Sequence, residues 1–362
     1  MQKNRMKKSV LLVTLWLLAG CAGAIATSPA SPAGSVPTAN APAGAGATAA
    51  SLPVTWGGHG LTGRLLLIQY HQTGDTLIEL DLQTGQVTVL FQAPKNSKLL
   101  AASLSPDGKQ LVLAYAAPIP GQIQLGNTDL YLLAAGTTDP PTLLEKRNDS
   151  DESFFGPVWA PDGQSIIYAH FFKTVEKSTA VYHYAIERVD LAGKSTTLIP
   201  DAYWPAVSPD GSEIAYVYSD PKGFSNDLYI ADASGKNSRP LTGQNGSGPV
   251  DAHIFSADGK TVFFSMVNPQ PQSEGSWWDS LFGVRTASAH NVPSDWYKVP
   301  VAGGTIERVT QVNDTGMVGA ISPDDSHMAF TSLNGLFAVK VDGSDLVKLT
   351  DLAFEGSIQW LP

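Results

Sequence analysis

The sequence predicts an all-β fold, a six-bladed β-propeller of four-stranded antiparallel blades. Three observations point to it. A Pro-Asp turn followed by an apolar strand recurs five times, a strand-Gly-strand hairpin recurs six times, and no long stretch has helical periodicity. The chain has 362 residues, 43% hydrophobic and 15% charged, enough to bury a large core. That balance excludes a coiled coil and a disordered acidic protein. The formal net charge of −10 argues against a nucleic-acid binder that depends on phosphate contacts. One Cys leaves no disulfide framework and no Cys-x-x-Cys site.

The N-terminus has the pattern of an address. Lys3, Arg5, Lys7 and Lys8 form a positive region, Val10 to Leu18 is a short apolar run, and Leu18-Ala19-Gly20-Cys21 follows. The run is too short to span a bilayer and fits a signal peptide over residues 1–20. The segment resembles the lipobox of bacterial lipoproteins. That resemblance implies cleavage before Cys21, lipidation of Cys21 and attachment to a membrane through acyl chains. Ala22, where the family rule places Asp for inner-membrane retention, leans toward an outer membrane or the outer face of a single membrane. Removing residues 1–20 leaves 19 basic against 33 acidic residues, a net charge of −14. Residues 21–53 are rich in Ala, Gly, Ser, Thr and Pro and carry no Asp, Glu, Lys or Arg. Such a segment cannot bury a core and reads as a tether with a mean reach of roughly 30 Å.

Residues 54–362 hold the repeats. Ser105-Pro106-Asp107-Gly108 leads into QLVLAY, Ala160-Pro161-Asp162-Gly163 into SIIYAH, and Ser208-Pro209-Asp210-Gly211 into EIAYVY. Two copies depart from the pattern: Ser256-Ala257-Asp258-Gly259 before TVFFSM, and Ser322-Pro323-Asp324-Asp325 before HMAFTS. Pro presets the first turn residue and Gly takes the left-handed third position, so each motif is a corner between two strands. The first hairpin lies ahead of any Pro-Asp turn, but Arg64 to Tyr70 matches the strand that normally follows one. Ser357 to Leu361 matches the strand that normally leads in. One blade is therefore divided between the two ends of the repeat array, and pairing Ser357–Leu361 with Arg64–Tyr70 closes the ring. The repeat unit is about 51 residues, above the ~40–45 of WD40 blades. These turns resemble the WD40-like Pro-Asp repeats of the TolB-like propeller family over about 300 residues. The resemblance implies this fold and an extracytoplasmic envelope location, periplasmic or outside the cell.

Alternating strand direction sorts the connections onto two faces. The Pro-Asp turns and Gly hairpins share a uniform face, and the other connections share a variable one, where function usually sits. Four insertions fall there: Ala116–Thr128, Phe171–Tyr182, Ser219–Asn226 and Val267–Ser294. The last carries Trp277, Trp278, Leu281 and Phe282, with Trp296 at its far end. A short helix with one apolar face over Trp278, Leu281 and Phe282 would present a contact surface, or fold back to cap the ring. The fourth-to-first-strand connections bring Asp149, Asp151, Phe155, Tyr203, Trp204, Asp251 and His253 to the channel mouth. Asn148 to Ser153 faintly resembles a calcium loop without its Gly and distal Glu, so Asp149 and Asp151 are weak metal candidates and a solvated acidic loop is the default. His253 is a candidate acid, base or ligand, or a polar residue lining a wet channel.

No catalytic residue is assigned. Prolyl-oligopeptidase-type relatives of this propeller carry a Gly-x-Ser-x-Gly elbow, which is missing here, and no P-loop or dinucleotide fingerprint implies a cofactor. The expected function is a lipid-anchored, non-catalytic propeller that binds a protein or an envelope component. The alternatives are a carbohydrate-acting lyase or hydrolase, and a cation or small-ligand sensor at the channel mouth.

Overall fold

The computed structural model describes residues 50–51, 59–71, 74–219, 226–243, 248–268 and 292–362. Cys21, Trp277, Trp278, Leu281 and Phe282 lie outside them. The described residues belong to the unit Gly44–Pro362 and contain strands and turns but no helix.

Six antiparallel sheets form the blades. From the channel outward, blade 1 has Phe354–Leu361, Arg64–Gln69, Thr76–Asp81 and Gln86–Gln92. Blade 2 has Lys98–Leu104, Gln110–Ala116, Asp129–Ala134 and Thr142–Glu145. Blade 3 has Ser153–Trp159, Ser165–Glu176, Thr179–Asp190 and Ser195–Pro200. Blade 4 has Ala202–Val207, Glu213–Ser219, Asn226–Asp232 and Arg239–Pro240. Blade 5 has Val250–Phe255, Thr261–Val267, Ser294–Pro300 and Glu307–Arg308. Blade 6 has Val318–Ile321, His327–Ser332, Gly335–Lys340 and Val347–Thr350. Each inner strand touches the inner strands on either side, so the ring is closed. Ala50–Ser51 adds a short fifth strand to blade 1, opposite Val87 and Gln86, within the residues read as tether.

The ring closes where the sequence places the closure. Arg64 pairs with Leu361 and Gln69 with Phe354. Trp360 Nε1 donates to the Thr62 carbonyl at 2.9 Å, and Arg64 Nε donates to the Pro362 carbonyl at 3.2 Å. Trp360 is 7% exposed and belongs to the core between blades 6 and 1.

The core is a set of layers between blades. Blades 1 and 2 bury Ile68 against Leu113, blades 2 and 3 Val112 against Tyr168, and blades 3 and 4 Ile167 against Tyr216. Blades 4 and 5 bury Leu228 against Phe264, blades 5 and 6 Trp296 against Phe330, and blades 6 and 1 Leu336 against Leu65. A second strand packs a neighbouring blade on each face, so both alternating sets of side chains are apolar. This is why RLLLIQ and QLVLAY read as continuous apolar runs.

The Pro-Asp corners are hydrogen-bonded modules. Ser208 Oγ donates to Asp210 Oδ1 at 2.7 Å and accepts the Glu213 N–H at 2.9 Å. Ser105, Ser256 and Ser322 repeat this with Asp107, Asp258 and Asp324. These bonds favour the carboxylate: the Ser208 hydroxyl, first among the causes, helps hold Asp210 at about 2, and Ser322 does the same for Asp324. Corners of successive blades also touch. Gly163, Gly211 and Gly259 lie over the prolines of the preceding blade's corner, Pro106, Pro161 and Pro209. At the next joint both departures from the pattern meet. Asp325 stands at the glycine position with φ 58°, and its carboxylate accepts the N–H groups of Ala257 at 2.5 Å and Asp258 at 2.8 Å. Proline at 257 would have no N–H to donate, so Ala257 and Asp325 are a matched pair.

One insertion is more regular than its sequence implied. Phe171–Tyr182 is the distal part of a long hairpin in blade 3, paired in register from Ser165↔Asp190 to Glu176↔Thr179. Lys177 and Ser178, at φ 47° and 67°, make the two-residue turn. Both central residues of a type I′ turn need positive φ, and Asn-Gly is its usual signal. Lys-Ser carries no such signal, so the hairpin resembled a loop.

Candidate functional site

The variable face is shaped by bulges near the start of the inner strands. The ladder slips at Leu99/Ala101 in blade 2, Tyr203/Ala206 in blade 4 and Asp251/His253 in blade 5, with matching slips in blades 1 and 3. Bulges of this kind re-aim side chains at a rim. Blades 1 and 3 place Gly356 and Gly156 in the left-handed region at this point, but blade 4 uses Trp204 at φ 55° and blade 5 uses Ala252 at φ 38°. Asp201, at the entry to blade 4, has φ 53°. A left-handed Trp costs of order 1–2 kcal/mol, and such strain clusters at functional sites.

Aromatic rings gather around this strained backbone. Tyr184 contacts Tyr203 at 5.1 Å and Phe155 at 6.2 Å between ring centroids, and Phe155 meets Trp204 at 6.4 Å. The row continues along the blade 3 hairpin, where Phe171 lies 5.1 Å from Tyr184 and stacks on Tyr182 at 5.5 Å. Phe155, Phe171, Tyr184, Tyr203 and Trp204 are half-buried, and Tyr182 is 55% exposed. Burial, then the nearby Asp251 charge, raise the Tyr203 phenol, and burial alone raises that of Tyr184. Three of these residues, Phe171, Tyr182 and Tyr184, were absent from the candidates drawn from sequence. The available signal was the alternation of Tyr182 and Tyr184 with Val181 and His183, which sets the two tyrosines on one face of a strand.

The structure separates other candidates from this row. Trp296, expected at the edge of a contact surface, is fully buried between blades 5 and 6 against Phe330. An added Cβ on Gly319 would lie 2.7 Å from its ring, so this Trp fills the core and does not face a partner. His253 does not line an open channel. Its ring is paired across the ladder with Phe264, whose face packs on blade 4, and it is 6% exposed. Neither ring nitrogen has a partner in hydrogen-bond geometry among the described residues, although the Ala215 and Trp204 backbones lie nearby. Burial lowers its pKa to about 4, so it is neutral at pH 7. Asp251 is also buried, and its Oδ1 accepts the Ala252 N–H at 2.9 Å across the bulge.

Other carboxylates near the channel mouth hold neighbouring chain in place. Glu152 Oε2 accepts the N–H groups of Asn148 and Asp149, and Asp314 accepts from Ser332, Asn334 and Thr315. Asp149 and Asp151 share the Lys173 ammonium, Asp149 at 3.8 Å. On the uniform face, a groove of about 360 Å³ between blades 5 and 6 is lined partly by Asp258, Lys298, Glu307 and Asp325. Their charges pair with Lys260, with each other and with backbone N–H groups.

No family model matches the chain. It is 26% identical to Dipeptidyl-peptidase 5 of Porphyromonas gingivalis over 190 residues, 43% of this chain and 27% of that protein. The aligned part is thus little more than a quarter of the relative's length. Among solved structures, TolB from Acinetobacter baumannii superposes with a TM-score of 0.58 at 17% identity, over 83% of this chain and 67% of that one. The putative TolB from Agrobacterium tumefaciens gives 0.54 at 19%, over 83% and 100%. An oligogalacturonate lyase in complex with manganese gives 0.54 at 13%, over 84% of each. With six four-stranded blades and a ring closed by its terminal strands, the chain has the propeller fold of the TolB structures.

Proposed function

We propose that this protein is a bacterial envelope lipoprotein whose propeller binds another protein or an envelope component without catalysing a reaction. Residues 1–20 direct export, Cys21 carries the lipid, residues 21–53 tether, and the body is the binding module. The aromatic row carries the reading. Six rings lie on the variable face, held by a bulged and strained backbone, while His253, the candidate acid-base residue, is buried and neutral. Rings presented on a rigid scaffold are typical binding anchors.

Two experiments test it. Growth with an alkyne-tagged fatty acid should label the full chain and leave a Cys21→Ser variant unlabelled and released from the membrane fraction. The purified protein should retain a component of detergent-solubilised envelope, and a Tyr182→Ser, Tyr184→Ser variant of normal thermal stability should not. The lyase among the structural neighbours favours the carbohydrate alternative enough to warrant one further assay. Glycan depolymerisation by the purified protein, abolished by His253→Ala, would overturn the binder reading.

A further inference from the structure

The charge around the aromatic row says what kind of partner it fits. Lys173 lies in the row, directly opposite Tyr182 across the hairpin. Its ammonium is held by Asp151 and, at 3.8 Å, by Asp149. At the other end Asp201 opens blade 4, and Asp251 lies close enough to Tyr203 to act on its phenol. Four carboxylates, two of them at the one ammonium and two at the far end, therefore accompany the six rings.

A guanidinium matches both features. It stacks flat on an aromatic face and pairs its edge with a carboxylate, and it sheds water more readily than an ammonium. Anionic partners meet repulsion at the same place. The hairpin extends the row outward to Tyr182, and Val175 near its tip is 71% exposed. The outer strand of blade 3 pairs with the hairpin only as far as Ala185↔Pro200, so the distal ribbon stands clear of its own sheet. We propose that the row docks a basic, arginine-bearing segment of a partner protein. This rests on the binder reading and narrows it to one partner chemistry. The arginines stack on Tyr182, Tyr184 and Trp204 and pair with Asp149, Asp151 and Asp201. The acidic net charge, −14 once residues 1–20 are removed, steers such a segment in from a distance.

The test uses the full chain in detergent micelles and a fluorescein-labelled ten-residue peptide of alternating Arg and Gly. Two control peptides replace every Arg with citrulline or with Glu. Anisotropy should show the Arg peptide binding at least about tenfold tighter than the citrulline peptide, with no Glu-peptide binding. Affinity should fall several-fold between about 50 and 300 mM NaCl. Tyr182→Ser and Asp151→Asn alter exposed side chains, and each should weaken binding by about two- to fivefold with unfolding midpoints unchanged. Equal affinity for the citrulline peptide, no binding of the Arg peptide, or full affinity in a variant combining Tyr182→Ser with Asp151→Asn would each overturn the proposal. An envelope component retained by the protein but not displaced by the Arg peptide would also overturn it, leaving the binder reading intact. Loss of both envelope capture and peptide binding would overturn the two together.

Discussion

Replacing Asp325 by Gly and Ala257 by Pro, singly and together, tests whether the two irregular corners are one device. Asp325 spans the joint between blades 5 and 6 with bonds to two N–H groups, at 2.5 and 2.8 Å. A charge-assisted bond contributes about 1–1.5 kcal/mol in an exposed setting, so Asp325→Gly loses about 2–3 kcal/mol. Glycine relieves the left-handed backbone at φ 58° and returns about 1 kcal/mol. The net cost is about 1–2 kcal/mol. Ala257→Pro removes one donor, about 1–1.5 kcal/mol, offset by about 0.5 kcal/mol from a stiffer unfolded chain. The double variant loses the shared bond only once and gains the Gly-over-Pro contact seen at three other joints. It should therefore be more stable than the sum of the singles by about 1 kcal/mol or more. Urea unfolding of the four proteins measures this directly. Additivity within about 0.5 kcal/mol would refute the matched-pair reasoning.

Other expectations follow from the core and from the titrating groups. Trp360→Ala should cost about 3–5 kcal/mol, because it empties the layer that joins the terminal strands, and deleting Gln359–Pro362 should lower the thermal midpoint further. Trp296→Ala should cost a similar ~3–5 kcal/mol and alter binding only through unfolding, which partner capture below the midpoint would check. Acid unfolding should show two windows. His253 has a folded pKa of about 4, below its unfolded value, so its contribution is full above about 6.5 and is lost as pH falls toward 4. That loss is about 3 kcal/mol, and a His253→Leu variant should show a flatter curve in this window. Asp210, Asp232, Asp258 and Asp324 sit at about 2 against a usual 3.8, so their contribution is present above about 4 and lost from there down to about 2. Asp210→Asn should shallow the second limb of a pH-dependent melting curve and leave the first unchanged.

The blade count, the corner turns and the closing strand pair were legible in the sequence because each is local and repeats. Pro, Asp and Gly report backbone angles wherever they stand, and a strand buried on both faces has to be apolar throughout. The candidate site was only half legible. Phe155, Tyr203 and Trp204 were picked out because they stand where the chain enters an inner strand, and the structure brings all three together. Tyr184 and Phe171 complete the row only because two 12-residue strands pair in one register, which puts odd-numbered positions of the first and even-numbered positions of the second on one face, toward blade 4. Trp296 and His253 went the other way. Position near a loop suggested exposure, but the adjacent blade covers both.

The sequence by itself determined that this chain is a ring of six blades, where the ring closes, and that its charge is acidic. Those properties follow from local backbone preference and summed composition, which need no partner to be expressed. The tertiary structure decided which aromatics face solvent, which carboxylates are occupied by backbone N–H groups, and why two irregular corners carry Ala and Asp. Each of those depends on what the neighbouring blade places opposite, and residues about 50 to 70 positions apart make those contacts.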